Sequence, residues 1–420
     1  MFQTLTPTRA VRLSRISIAL LTLILLFIVY SILTIKDLPD GYPAGNYVGL
    51  GGDGFIYREA ARLYTEEVPI YWVDQEWESQ NPPYYMPAFF ALFSPLTAIT
   101  SKALFVAVWL TMLAMGYLVA VGLWKTVYTL YKPGKLTTPL WGVTFALALL
   151  STDFWANLYY GNAVLLLVML TAISAYGIYQ QNTLLVGAAV YLTVVTKPQW
   201  AFFPAAMLLI MLLESQYRRF VLQVIGMVVG LYIAFTALMM IQTSPNYTLE
   251  MIKENVRFIG QTNSHYPYSE GLSSNSSWQQ MFHLQPVFEP IADYAVLIPL
   301  VWLAHFAWTL YQVKERDIRF SSRPDLVMLV GFAGYLVAQM QVTAFMDLIL
   351  GAFIVGYLWM FEEPILRNRW LIGAFVLLII TAITYVLTWY IYIPYAMILA
   401  IILYALITRI LKREGRLPLS

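Results

Sequence analysis

ALFVAVWLTMLAMGYLVAVGLW, residues 103 to 124, contains no charged side chain and is closed at its two ends by Lys102 and Lys125. A hydrocarbon layer about 30 Å thick takes about 20 apolar residues of helix to cross, so this stretch reads as a membrane span. Similar apolar stretches surround it at Ile16 to Ile35, Pro139 to Trp155, Ala163 to Tyr179, Leu184 to Val195, Trp200 to Leu213 and Phe220 to Ile241. Five more follow: Ile291 to Val313, Leu326 to Met340, Val342 to Met360, Trp370 to Tyr390 and Ile393 to Ile410. Together they predict an all-α polytopic membrane protein with about 12 transmembrane helices, a single domain over residues 1 to 420. Composition agrees, because 60% hydrophobic residues, 11% charged residues and a mean hydropathy of +0.66 lie well outside the range of soluble domains.

Charge sets the expected orientation. Arg9, Arg12 and Arg15 precede the first run, which is too long for a signal-peptide core and lacks a small-residue cleavage site. It reads as a retained anchor. With both termini inside, 18 of the 25 basic residues fall on the cytoplasmic side, as the positive-inside rule requires. Residues 37–102 and 242–290 then form two large outer loops rich in Tyr, Pro, Asn, Ser and Trp, expected to cover a membrane-embedded cleft. Tyr84 to Ile99 holds Pro87 and Pro95 and reads as a helix lying in the outer interface. Spans as short as Leu184 to Val195 leave room for one broken helix or re-entrant hairpin. The expected location is the cell membrane, multi-pass, with the active site on the extracellular or periplasmic face.

Several function classes drop out. A net charge of +2 with no Lys/Arg-rich run gives no footprint for nucleic acid. No cysteine is present, and His265, His283 and His305 are too few for a His-rich metal site, so no cofactor and no metal are expected. Gly49, Gly51 and Gly54 formally fit G-x-G-x-x-G, but that fingerprint has meaning only between a strand and a helix, and here it follows a membrane anchor. No D-x-D sequence occurs, which disfavours a nucleotide-sugar donor.

What remains is a set of polar residues that the topology gathers on the outer side. Asp53, in GGDGFIYREAARLY, is expected to start a helix from about Phe55 to Glu67. It can cap that helix, and the helix dipole also favours the ionised carboxylate that a general base needs. Lys197 ends an apolar helix before Pro198, where a lysine either anchors the helix end or holds a lipid phosphate. Asp347 falls inside the membrane layer and is expected to contact substrate or to pair with a basic residue such as Lys197. Asn162 and Asn275 can bind sugar hydroxyls or phosphate oxygens, or satisfy their own turns. Tyr71, Trp72, Trp77, Tyr84 and Tyr85 form an aromatic cluster expected to anchor at the interface, with sugar stacking as the alternative. His305 reads as a hydrogen-bonded core histidine.

GGDGFIYREAARLY followed by YMPAFFALFSPL, Tyr85 to Leu96, resembles the aspartate loop and interfacial helix of glycosyltransferase family 87. The resemblance continues at YYGNAVLLLVMLTAISAY, at GAAVYLTVVTKPQWAFFPAAMLLI and at LSSNSSWQQMF, over roughly the first two thirds of the chain. It implies a GT-C-type fold with short interfacial helices in the outer loops. The implied activity is transfer of a sugar, mannose or a related hexose or pentose, from a polyprenyl-phosphate donor to a lipid or glycan acceptor, with inversion. Asp53 is then the catalytic base, and Lys197, Asn162, Asn275, Asp347, Tyr85 and Arg58 bind donor or substrate. Met86 stands where the family has a proline, Ser276 where glutamine is common, and TAFMDLILG replaces a late element with tryptophan and histidine, so the sugar is not carried over. The competing class is a transporter or flippase of lipid-linked saccharides, which predicts charges at the bilayer midplane and two-fold internal symmetry. A third is an inactive membrane scaffold.

Overall fold

A computed structural model describes residues 22–30, 33, 51–71, 85–265, 304, 318–338, 349–360 and 395–413. These residues are mostly helical and contain no strand. After a helical stretch at 22–30 come α1 (Gly52–Thr65), α2 (Pro87–Phe93, continued by a 3₁₀ turn at Ser94–Ala98), α3 (Lys102–Tyr131), α4 (Thr138–Leu150) and α5 (Thr152–Tyr160). Then follow α6 (Val164–Gln180), α7 (Thr183–Thr196), α8 (Phe202–Leu212), α9 (Ser215–Gln242), α10 (Pro245–His265), α11 (Pro324–Ala338), α12 (Gly351–Leu358) and α13 (Tyr395–Arg413).

Local chemistry starts and stops these helices. Ser101, Thr137, Ser151 and Asn182 each accept a backbone N–H of the first turn of α3, α4, α5 and α7, satisfying a donor that the helix itself cannot. Pro198 stops α7, because the residue before a proline is pushed out of the helical region, and Lys197 is extended there at φ −142° and ψ 97°.

The helix α3 has 30 residues and α9 has 28, and both are long and apolar enough to cross a membrane. Leu140–Tyr160 with Val164–Gln180 is a bent pair at 119° that adds a third crossing if it is one span. The expected span over Ala163 to Tyr179 is the single helix α6, and the one before it is corrected. Pro139 to Trp155 is not one helix: Ser151 terminates α4 and begins α5, and Gly161, at φ +69°, terminates α5. The expected short spans over Leu184 to Val195 and Trp200 to Leu213 are the apolar helices α7 and α8, of 14 and 11 residues. Ile291 to Val313 and Trp370 to Tyr390 lie outside the described residues, apart from residue 304.

In the bundle, α3 packs on α6, α6 on α7, α7 on α9, α8 on α11, and α11 on α13. Small residues let the backbones close, the usual device where lipid removes the hydrophobic drive between helices. A methyl at Gly334 would lie 2.9 Å from the Phe202 carbonyl oxygen, so α11 meets α8 backbone to backbone. Trp124 stacks between Phe332 and Phe353 and knits α3, α11 and α12 into one aromatic core. The helix α9 lies at the margin: only 11% of its apolar window is buried, and Leu222, Ile225, Val229 and Ile233 face outward.

The two ends of the bundle differ. At one, Asp325 pairs with Arg323 at 3.0 Å and Lys132 at 3.7 Å. Beside it the buried Glu214 accepts the backbone N–H of Ser321 at 3.2 Å and the hydroxyl of the same residue. This polar collar ties the loops after α3 and α8 to the start of α11. At the other end lie α1, α2, the end of α7 and the corner between α9 and α10. Along α3, Trp109 at that end is 23 residues from Lys132, about 35 Å.

Candidate functional site

Gly51 sets the position of Asp53. Its backbone is left-handed, φ +73°, a conformation cheap only for glycine, and its N–H donates to the Tyr159 carbonyl at 2.6 Å. This starts α1 at Gly52, three residues earlier than expected, and makes Gly51 the cap with no side-chain cap bond. The expectation that Asp53 caps is therefore corrected: Asp53 is inside the first turn, where the dipole still favours a negative charge.

The turn between α5 and α6 meets it. Asn162 donates its Nδ2 amide to the Asp53 carboxylate at 2.7 Å, across 109 residues of sequence. The asparagine is itself fixed. Its Oδ1 accepts the Val164 N–H at 3.0 Å, and its own N–H donates to the Asn157 carbonyl at 2.8 Å. The turn reading of this residue therefore holds, and its amide nitrogen is spent on the Asp53 carboxylate, a partner the sequence did not suggest. Trp109 donates its indole N–H to the Gly161 carbonyl at 2.8 Å, and a methyl at Gly161 would lie 3.3 Å from the Gly51 Cα. The two glycine turns are in backbone contact, which is what holds carboxylate and amide in register.

Behind the carboxylate, one turn along α1, Tyr57 is buried and pairs hydroxyl to hydroxyl with Tyr85 at 2.5 Å. The Ala163 backbone also bonds this hydroxyl. Burial first, and then the nearby Tyr85 and Asp53, push the Tyr57 hydroxyl well above the usual tyrosine range, so it stays neutral. Tyr71 donates to the Tyr85 carbonyl, Asn255 of α10 donates to the same oxygen at 3.3 Å, and the Tyr85 ring stacks on Phe89 with centroids 4.4 Å apart. Tyr71 and Tyr85 are 3% and 5% exposed, so these two members of the aromatic cluster pack inside the protein and are not interface anchors. Trp72, Trp77 and Tyr84 lie outside the described residues.

Next along the chain, the Met86 N–H donates to the Val195 carbonyl at 3.2 Å, docking this segment on the last turn of α7 two residues before Lys197. Lys197 is partly buried at the end of α7. Arg58 donates to the Thr100 carbonyl at 3.3 Å and lies 5.3 Å over the Phe105 ring; burial lowers its pKa, with Glu59 opposing. It thus bonds the end of the interfacial segment. Asn275, Asp347 and His305 lie outside the described residues. No cluster of three or more metal-ligating side chains occurs among the described residues.

Asp53, Asn162, Tyr85 and Lys197 therefore share one end of the bundle: Asp53–Asn162 and Tyr57–Tyr85 are two hydrogen-bonded pairs one turn apart on α1, and the Met86–Val195 backbone bond sets the second beside the end of α7 that Lys197 closes. Tyr57, Trp109, Gly161 and Asn255 lie with them and do not stand out in the sequence. Tyr57 had a signal, being four residues beyond Asp53 and so on the same helix face. Trp109 had none within its apolar run. No protein-family model matches the chain, and no curated protein or solved structure matches it.

Proposed function

We propose that the chain is a multi-pass membrane glycosyltransferase of the GT-C type, similar to family 87, moving a sugar from a polyprenyl phosphate to an acceptor hydroxyl at the outer membrane face. The observation that carries this reading is the Asp53–Asn162 hydrogen bond at 2.7 Å, which joins two of the motifs that resemble the family. A carboxylate aimed by a rigid amide is suited to general-base work. Asp53 takes the acceptor proton as the acceptor oxygen bonds the anomeric carbon. The bond from that carbon to the phosphate oxygen breaks, its electron pair leaves on the phosphate, and Lys197 balances the growing charge. One in-line displacement inverts the anomeric centre.

Lys132, Lys135, Arg218, Arg219, Arg319 and Arg323 gather at the collar end, which supports that end as the cytoplasmic one. The test is transfer of labelled sugar from a polyprenyl-phosphate donor by purified protein in nanodiscs. Asp53→Asn keeps the side-chain size and should lower transfer by about 10²–10⁴-fold at unchanged folding. Near-full transfer by that variant would remove Asp53 as the base, and no transfer by wild type with any such donor would remove the reading itself.

A further inference from the structure

Asparagine is a poor residue for the middle of a helix, because its amide competes for the backbone, yet Asn255 stands midway along α10 and is 3% exposed. Its side chain is spent outside its own helix. It donates to the Tyr85 carbonyl at 3.3 Å and also bonds the Tyr71 hydroxyl, which itself donates to that carbonyl. Other bonds already fasten α10: Ser244, eleven residues earlier, bonds Glu67, and Tyr247 donates its hydroxyl to the Val68 carbonyl at 2.8 Å.

What Asn255 holds is a peptide group. The Tyr85 carbonyl and the Met86 N–H belong to one planar trans unit and point in opposite directions, so fixing the first aims the second. That N–H donates to the Val195 carbonyl at 3.2 Å, in the last turn of α7, and Lys197 closes the helix two residues on. The Tyr85 side chain reaches the other way, to Tyr57, one turn along α1 from Asp53. Tyr85 and Met86 thus space the lysine end of α7 from the carboxylate.

We propose that Asn255 is a positioning residue: by holding the Tyr85–Met86 peptide it sets the Lys197 end of α7 at its working separation from Asp53. The geometry rests on the hydrogen bonds, and its consequence for the donor phosphate rests on the sugar-transfer reading. Without Asn255 the carbonyl keeps the Tyr71 hydroxyl as donor, the peptide gains freedom to turn, and the Met86 bond to α7 weakens with it. Small misplacements of groups near the chemistry cost up to about 10²-fold in rate, so an amide that touches no reacting atom is enough.

Asn255→Leu, which keeps similar volume and removes the donors, tests this in the purified full chain, first without turnover. Its Met86 amide should exchange hydrogen about fivefold faster than in wild type, the worth of one net hydrogen bond, and Lys197 should react faster with an amine-acylating reagent. Ser244→Ala, which loosens the start of α10 and leaves the peptide alone, should change neither. Transfer of labelled sugar from a polyprenyl phosphate should fall by about tenfold in Asn255→Leu, with no further loss when the change is added to Lys197→Ala, because it acts through the lysine. Unchanged Met86 exchange and Lys197 labelling overturn the proposal whether or not sugar is transferred, and so does a loss that multiplies with that of Lys197→Ala. Wild type that transfers no sugar overturns the sugar-transfer reading instead, and exchange and labelling then decide the positioning alone. If Asn255→Leu does not fold, Tyr71→Phe, which removes the other donor to the carbonyl, carries the same measurements.

Discussion

Gly161→Ala tests whether the contact between the two glycine turns aligns Asp53 with Asn162. Two costs add. A left-handed backbone, here φ +69°, costs an alanine about 1–2 kcal/mol. The new methyl would also lie 3.3 Å from the Gly51 Cα and 3.3 Å from the Trp109 ring, neither of which is a flexible side-chain tip. Overpacking of this kind costs typically about 1–3 kcal/mol. Gly134 provides the control: it has φ +74°, but a methyl there would meet nothing within 4 Å, so Gly134→Ala should show the first cost alone. Unfolding midpoints of the two variants in one detergent should therefore differ, Gly161→Ala being the weaker by roughly 1–3 kcal/mol. Activity should separate them further. Relief of the clash moves the turn that carries Asn162, and small misplacements near reacting groups cost up to about 10²-fold in rate. Transfer by Gly161→Ala should fall by about tenfold or more, while Gly134→Ala stays near wild type. Equal stability and equal transfer in the two variants would refute the idea that this contact positions the site.

Tyr85→Phe removes one of two partners of the buried Tyr57 hydroxyl, the Ala163 backbone remaining, and should destabilise by about 0.5–1.5 kcal/mol; a double-mutant cycle with Tyr57→Phe that shows no coupling would contradict the bond. Glu67 accepts the Ser244 N–H at 2.6 Å and its hydroxyl at 2.7 Å from a left-handed backbone, φ +57°, and so fastens the start of α10. Glu67→Ala should loosen α10 by about 0.5–2 kcal/mol, seen as faster hydrogen exchange over residues 246–256, and Glu67→Gly should exchange more slowly than Glu67→Ala because its backbone strain is gone. Lys197→Ala should lower kcat as well as raise the donor KM, because its contact strengthens as the phosphate gains charge, and Lys197→Arg should keep part of the activity. Normal turnover by folded Lys197→Ala would reduce the lysine to a helix-end anchor.

The sequence marks residues whose type is costly in their setting, and it is poor at pairing them. Asp53, Asn162 and Lys197 stand out because a carboxylate among glycines, an asparagine between apolar runs and a lysine at a helix end each need a reason. That Asn162 holds Asp53 could not be read, because the bond spans 109 residues and depends on Gly51 and Gly161 touching. The break at Ser151 is obscured for a different reason: Ser151-Thr152-Asp153 is a polar triplet with the pattern of an N-cap and an acidic first turn, but it is short and lies between apolar flanks, so hydropathy averaged over a span runs through it. The helix α10 is hidden in the opposite way, as a polar stretch whose apolar residues lie on one face, so that it reads as part of an outer loop.

The lengths of α3 and α9 carry a consequence for the surrounding bilayer. At 1.5 Å per residue they measure about 45 and 42 Å, against a hydrocarbon thickness of about 30 Å. Lys125 in α3 and Arg218 and Arg219 in α9 mark where each rod leaves the oily layer, and all three are toward the Asp325 and Glu214 ties. Those ties consequently stand off the lipid by one or two helical turns. A thicker or thinner bilayer can slide along the exposed rods, or tilt them, without reaching the ties, which are shielded within the protein. The Asp53 end has no such spare length, since Lys102 opens α3 directly at the interfacial segment. Bilayer thickness should be felt there, so that nanodiscs of graded acyl length act as a ruler for the site and not for the collar.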